Sequence, residues 1–279
     1  MPELPEVETI RRGVERLVVG RVVVNVDVLV PKILKPPVAD PEEFAGKLIG
    51  GRFVNAVRRG KHLIFGLDNG YALYAHLNMR GQFVVSTHYD QPRGKYFCVG
   101  LRLDSDSELR YYDIWTWGEL RLLPDRQEDI IKLVPALAGM GPEPLSEGFD
   151  GYVLKNRARS RFGSPIKTVL LDQAVVAGVG NIYADESLFR SRISPLRKAG
   201  SLADQDWFEL ARQIGAVLNE AVEGGGTISD NYVDVTGIAG RYRPQVYGRA
   251  KELCVRCETP LAGSRLAGRS TVFCPECQK

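Results

Sequence analysis

Four cysteines near the end of the chain restrict its fold more than any other feature. Cys254, Cys257, Cys274 and Cys277 form the pattern C-x2-C-x16-C-x2-C, a spacing suited to four thiolates around one zinc ion. Each C-x2-C turns tightly enough for both sulfurs to reach one metal. The unit they span, about 30 residues, has too little core to fold alone, so the metal must supply stability. A pair of disulfides is the alternative, disfavoured in a chain with no secretory pattern at its start. Iron accepts the same ligands, but the span looks like a zinc ribbon or finger. Between the pairs, SRLAGRSTVF reads as a two-strand hairpin with Arg265 and Arg269 about its tip. Those arginines are either placed to meet a phosphate or simply solvated. The fifth cysteine, Cys98, lies in the strand-like YFCVGLRL and is expected in a core.

The other end is as specific. MPELPEVETIRRG carries two prolines and three carboxylates, Glu3, Glu6 and Glu8, where a signal peptide would carry lysines and an apolar core. No apolar run reaches the ~18 residues of a membrane span. A cytoplasmic protein with no membrane partner is therefore expected. Leu4, Val7, Ile10, Val14 and Leu17 recur at helical spacing, which predicts a helix over 4–17. Pro5 suits its first turn, where a missing N–H costs nothing.

Eight β-branched or aromatic runs follow, from RVVVNVDVLV to GELRLLP, punctuated by Gly, Asn and Asp. LDNGY is a hairpin signal. One leading helix and these strands predict a β-sandwich or flattened barrel over roughly 1–125. GMGPEPLSEGF (139–149) reads as a linker. Helical patterns come next: FDGYVLKNRARS, IKTVLLDQAVV, NIYADESLFRSR and SLADQDWFELARQIGAVLNEAVEGG. A polar, glycine-rich loop then leads to the cysteine unit; loops this long are often functional. No internal repeat is visible. The expected division is a sandwich over 1–135, a linker over 136–149, a helical domain with its loop over 150–243, and the zinc unit over 244–279.

Net charge is only +3, but it is unevenly placed. Lys155, Arg157, Arg159, Arg161 and Lys167 occur with no acid between them, as do Arg241, Arg243 and Arg249. Such runs suit a bound polyanion, or form an ordinary solvated face. Between two helical stretches lies VAGVG, and Asn181 opens the second stretch. Helix N-termini present free N–H groups to anions. A turn of this kind beside a basic run would grip a nucleic-acid backbone.

Taken together, PELPEVE (2–8), RRGKHLIF (58–65), HLNMRGQF (76–83), LLDQAVVAGVGNIYADESLF (170–189), QVYGR (245–249) and the cysteine unit resemble the formamidopyrimidine-DNA glycosylase / endonuclease VIII family. PELPEVE favours the formamidopyrimidine branch. The resemblance implies an α+β multidomain fold: an N-terminal β-sandwich with a leading helix, a helix–two-turn–helix domain and a zinc finger with one structural Zn2+. It implies action on damaged DNA without a nucleotide cofactor; nothing in the sequence signals oligomerisation, so a monomer is expected. It also implies excision of oxidised bases through a Schiff base on Pro2, then β,δ-elimination of the abasic strand. Met1 must first be removed, because with it attached Pro2 is an amide. A terminal amine, with a pKa near 7.7–8.0, is partly neutral and nucleophilic at cellular pH.

The same resemblance assigns residues. Glu3 serves as acid/base and Lys61 as a phosphate-contacting catalytic lysine. Arg269 contacts phosphate and assists δ-elimination. Glu6 lies near the lesion nucleotide, and His76 and Asn181 face the DNA backbone; Arg161, from the basic run rather than the resemblance, is a further DNA-contact candidate. Met79 fills the gap left by the everted nucleotide, and the loop 227–243 closes over its base. The second wedge departs from the family pattern Asp-Pro-Arg-Arg-Phe-Gly, reading Asp113-Ile114-Trp115-Thr116-Trp117-Gly118. Trp117 can still stack. Trp115 replaces the arginine that reads the opposing cytosine, and Tyr96 replaces a basic contact. Relaxed discrimination of the opposing base is one expectation; Trp115 packed under the wedge is the other. Alternative functions are the same chemistry on oxidised pyrimidines, crosslinks or lesions in single-stranded or bubble DNA, or damage binding without catalysis.

Overall fold

The computed structural model describes residues 2–228 and 232–279. Met1 and residues 229–231, which belong to the expected capping loop, lie outside the described residues. The chain divides into two units, Met1–Ala138 with Gly225–Arg241, and Gly139–Gly224 with Tyr242–Lys279.

In the first unit α1 (Leu4–Leu17) is followed by β1 (Val23–Val28), α2 (Pro41–Leu48), β2 (Phe53–Arg59), β3 (His62–Leu67), β4 (Tyr71–His76), β5 (Gly81–Ser86), β6 (Phe97–Leu103), β7 (Glu108–Asp113), β8 (Glu119–Pro124), α3 (Gln127–Leu133) and α4 (Pro135–Ala138). The helix over 4–17 and the eight strands match the periodicity. Two four-stranded antiparallel sheets, β1-β6-β7-β5 and β2-β3-β4-β8, make the sandwich. Phe65 of one sheet meets Phe83 of the other edge-on at 5.7 Å, and Tyr111 lies 5.0 Å from Phe83. Rings of this size bridge two inner faces and dominate the core. Val7, Ile10 and Val14 of α1 are fully buried in the same core.

Sequence periodicity missed α2 and α3, which are too short for a clear apolar stripe. Yet α2 carries a start signal: Asp40 accepts from the Glu43 N–H at 2.9 Å, and Pro41 follows. Residues 225–241 group with the sandwich, whereas the sequence reading attached them to the helical domain. The reason is packing. The Val85 N–H donates to Val235 O at 2.7 Å, and Val235 is buried beside Gly13.

In the second unit α5 (Gly151–Ala158), α6 (Ile166–Leu171), α7 (Asn181–Arg190) and α8 (Asp204–Glu223) precede β9 (Ala262–Leu266) and β10 (Arg269–Phe273). The stretch 139–149 has neither helix nor strand but is docked: Gly141 N–H donates to Gln173 O at 2.8 Å, and Ala177 N–H to Pro142 O at 3.0 Å. IKTVLLDQAVV is helical only to Leu171. Asp172 turns the chain, accepting from Ala174 N–H at 3.0 Å, and Gln173 fastens the next turn through Gly178 N–H and Val179 O. A polar side chain that bonds its own backbone competes with the helix there.

An added Cβ at Gly13 would lie 2.2 Å from Val235 Cγ2. Gly13→Ala gains helix propensity, about 1 kcal/mol, but overpacks a stiff β-branched neighbour, a cost of about 1–3 kcal/mol. The expected net result is a lower urea midpoint, restored when Val235→Ala is added. An unchanged midpoint in Gly13→Ala would contradict this packing.

Candidate functional site

Glu8 accepts from Arg58 Nε at 3.0 Å, and Arg11 reaches Ala56 O at 3.3 Å, so α1 runs antiparallel to β2. Burial alone would raise the Glu8 carboxyl; hydrogen bonds from Arg11, Arg58 and Arg12 outweigh it and hold it below its usual range. Pro2 and Glu3 therefore lie toward the end of β2 where the chain turns through Gly60 and Lys61 into β3. Pro2, Glu3 and Glu6 are buried. Glu6 accepts from Glu3 N–H at 2.9 Å and from Thr227 N–H at 2.8 Å, while Tyr232 Oη donates to Glu6 O at 3.3 Å. Each Glu6 carboxylate oxygen thus holds a backbone N–H, and the carboxylate joins the chain start to the loop segment.

Strand register sets the next residues. His62 pairs with His76, and His76 with Glu119, across β3, β4 and β8. Lys61, 7% exposed, precedes His62 on this rim. The two histidine rings stack at 4.5 Å, and His62 Nδ1 lies 2.7 Å from Tyr74 Oη, which donates to Glu119 at 3.2 Å. Burial, with His76, Lys61 and Arg59 nearby, pushes His62 down to about 3. Burial also lowers His76, against the pull of Glu119.

Met79 sits in the turn after β4, and the tryptophans in the turn after β7. Asn78 Nδ2 donates to Trp117 O at 2.6 Å, Gly81 pairs with Asp113, and Asp113 N–H donates to Tyr96 O at 3.0 Å. Lys61, His76, Met79, Tyr96, Trp115 and Trp117 therefore share one end of the sandwich. Trp115 is 40% exposed, so it does not pack under the turn.

The second unit gathers the other residues. Asn181 Nδ2 donates to Ser270 Oγ at 3.2 Å, beside Arg269. Arg269 and Arg161 line one cavity of about 400 Å³ with Ser164, Thr168 and Asp172. The basic run is less positive than its composition: Arg161 is paired with Asp172 at 2.6 Å and Lys155 with Asp204. Lys167 is no surface cation at all. It is fully buried against Asp185 at 2.7 Å and donates to Ser270 O and Thr271 Oγ1 at 2.6 and 2.9 Å. Burial raises the Asp185 carboxyl to about 6.

Sequence reasoning missed this pair because its members lie 18 residues apart (185 − 167) on helices that it could not orient. It also missed Glu186, buried within α7, which accepts from the consecutive N–H groups of Gln245, Val246 and Tyr247. QVYGR was the visible half of that contact. The four cysteines converge with their sulfurs all within 4.8 Å of one another. Hairpin β9–β10 spans the two cysteine pairs, turning at Ala267-Gly268 with φ of +48° and +75°.

Family models match in three consecutive pieces: the formamidopyrimidine-DNA glycosylase N-terminal domain over residues 1–120, its H2TH domain over 140–232, and a zinc finger found in FPG and IleRS over 251–279. The chain belongs to the formamidopyrimidine-DNA glycosylase family. A family member from Geobacillus kaustophilus is 43% identical over the full length of both chains, and one from Bacillus subtilis is 39% identical over 100% of this chain and 99% of its own. Among solved structures, a Lactococcus lactis Fpg complex with abasic-site DNA has a TM-score of 0.89 at 32% identity, covering 99% of each chain. A MutM complex with DNA containing carbocyclic 8-oxo-G has a TM-score of 0.88 at 32% identity, covering both chains fully. The finger domain and the convergent thiolates fit one structural zinc ion. No helix among the described residues is long and apolar enough to cross a membrane.

Two outcomes follow from the buried groups. Lys167→Met leaves Asp185 buried without its cation, a cost of about 3–5 kcal/mol. The β10 contacts go with it, so chelator should strip zinc from this variant faster than from wild type, read with a colorimetric metal indicator. His62 is neutral in the fold down to about pH 3 but, unfolded, takes a proton near 6.5. Above pH 6.5 it adds no pH dependence; below, the unfolded state binds the extra proton and stability falls as pH falls. By pH 5 the loss is about 2 kcal/mol. Urea unfolding at pH 7 and pH 5 should show a loss smaller by that amount in His62→Gln.

Proposed function

We propose that this chain excises oxidised bases of the formamidopyrimidine and 8-oxoguanine class from DNA and then cuts the abasic strand, with Pro2 as nucleophile. The observation that carries the reading is the fixed start of α1, where Glu6 pins Glu3 N–H beside buried Pro2. A nucleophile on a frayed terminus would rarely reach an attack geometry; one held by a carboxylate and a helix does so without further ordering.

Once Met1 is removed, the Pro2 nitrogen is a secondary amine. Its lone pair attacks C1′ of the damaged nucleotide, and the glycosidic electron pair leaves with the base, which takes up the proton that the Pro2 nitrogen sheds. Glu3 delivers a proton to the sugar ring oxygen as the ring opens, giving the iminium that links enzyme and sugar. Loss of a sugar proton then expels the 3′ phosphate, and a second elimination expels the 5′ phosphate. Lys61, His76, Asn181 and Arg269 hold backbone phosphates, and Arg269 supports the second elimination. The damaged base cannot react inside the stack, so the nucleotide is flipped out and Met79 occupies the gap. Residues 227–243 close over the extruded base. Zinc supplies structure only. The setting is the cytoplasm, where such an enzyme meets the chromosome.

Borohydride reduction on abasic DNA tests this directly. Wild-type protein freed of Met1 should form a covalent adduct; Pro2→Gly should trap far less, and a form retaining Met1 none. Equal trapping by all three would remove Pro2 from the mechanism. Glu3→Gln should lower base excision by about 10²-fold or more, the scale of a positioned proton donor.

A further inference from the structure

The chain has three tryptophans. Trp207 is 1% exposed, whereas Trp115 and Trp117 are 40% and 60% exposed on the turn between β7 and β8. Their rings lie 4.9 Å apart at 50°, and the Arg80 guanidinium sits 5.2 Å from the Trp115 ring.

This turn is built, not loose. The Asp113 carboxylate accepts from Trp115 N–H at 3.0 Å and from Gly118 N–H at 2.7 Å. Asn78 holds Trp117 O, and Lys32 donates to Thr116 Oγ1 at 3.0 Å. Thr116 has φ +53°, an unfavourable value for a β-branched residue, and a Cβ at Gly118 would fall 1.8 Å from Tyr111 Oη. A turn strained at one residue and tied by four hydrogen bonds, from Asp113, Asn78 and Lys32, marks a surface with a use. Two exposed indoles held this way suit a flat apolar partner.

An indole stacks on any nucleobase, because every base has a π-face. Its single N–H carries no charge and gives little means of telling one base edge from another. We propose that Trp115 and Trp117 form a stacking platform for unpaired bases beside the extruded nucleotide. The enzyme is then indifferent to the base opposite the lesion and favours damage in mismatched, bubble or single-stranded DNA. Such DNA has already lost the stacking that the indoles must otherwise disrupt. This inference rests on the proposed function, in which the same rim of the sandwich holds DNA with one nucleotide flipped out.

The test is kcat/KM for 8-oxoguanine opposite C, A, G and T in duplex, and in an unpaired bubble. The four duplexes should agree within about fivefold, with the bubble cleaved at least as well. Trp115→Ala and Trp117→Ala should each lower bubble cleavage about tenfold, the scale of one base–aromatic stack, and the Phe variants should recover most of it. On wild-type protein, bubble DNA should shield tryptophan emission from acrylamide, with buried Trp207 as the unquenched background. A preference above fivefold for one opposing base, Ala variants as active as wild type, or unshielded emission would each overturn the platform. Borohydride trapping on abasic DNA separates the two levels: trapping retained alongside such a failure removes the platform alone, and trapping lost removes the proposed function itself.

Discussion

The start of α1 depends on one carboxylate. Glu6 sits one turn into α1 and spends both oxygens on backbone donors, Glu3 N–H and Thr227 N–H. The first bond fixes the start of the chain; the second fixes residues that follow α8. Buried carboxylates are costly unless fully bonded, and charged acceptors make the stronger hydrogen bonds. Glu6 therefore cannot easily release either partner. The position of Pro2 and that of the loop segment are coupled through it. Beside the proximity to the lesion that the family resemblance implies, the geometry gives this residue a positioning task.

From that anchor the sandwich arranges the rest by register. An antiparallel ladder fixes which residues share an end, and a slip of one residue would turn each side chain to the other face. The row His62, His76 and Glu119 shows the result: one histidine under another, a tyrosine and a carboxylate closing the chain of contacts, and Lys61 at the turn beside them. Burial keeps the lower histidine neutral, so the rim gains its charge from Lys61 and its neighbours. Met79 and the tryptophans occupy turns at this same end. Strands define a rigid edge, and the turns carry the variable chemistry.

Much of this was legible in sequence because the signals are local. Helical spacing at Leu4, Val7, Ile10 and Val14, alternation in the strands and the C-x2-C pairs each act over a few residues. What was illegible is non-local. Nothing in the run from Lys155 to Lys167 distinguishes Arg157, which is exposed, from Lys167, which is buried. That difference is set by Asp185 on another helix. Val235 in a polar loop looked unremarkable until Gly13 supplied a space shaped for it. Trp115 was ambiguous for the same reason: only the surrounding turn decides whether an indole packs or projects.

The second unit shows how a metal site and a helix pair can act as one body. Zinc closes the finger, but the thiolates alone do not orient its hairpin. Orientation comes from Lys167, which bridges Asp185 to Ser270 O and Thr271 Oγ1, and from Asp185, which accepts Val272 N–H at 3.1 Å. Asn181 adds a bond to Ser270 from the first turn of the same helix. Arg269 is thereby set beside Asn181, one residue from the buried cation that holds β10. An ion pair of this kind contributes little net stability compared with an apolar core. Its directional bonds do what apolar packing cannot: they fix the register of the hairpin against the helices. Asn181 at a helix start and Arg269 beside the hairpin turn, the proposed phosphate contacts, are then held next to one another.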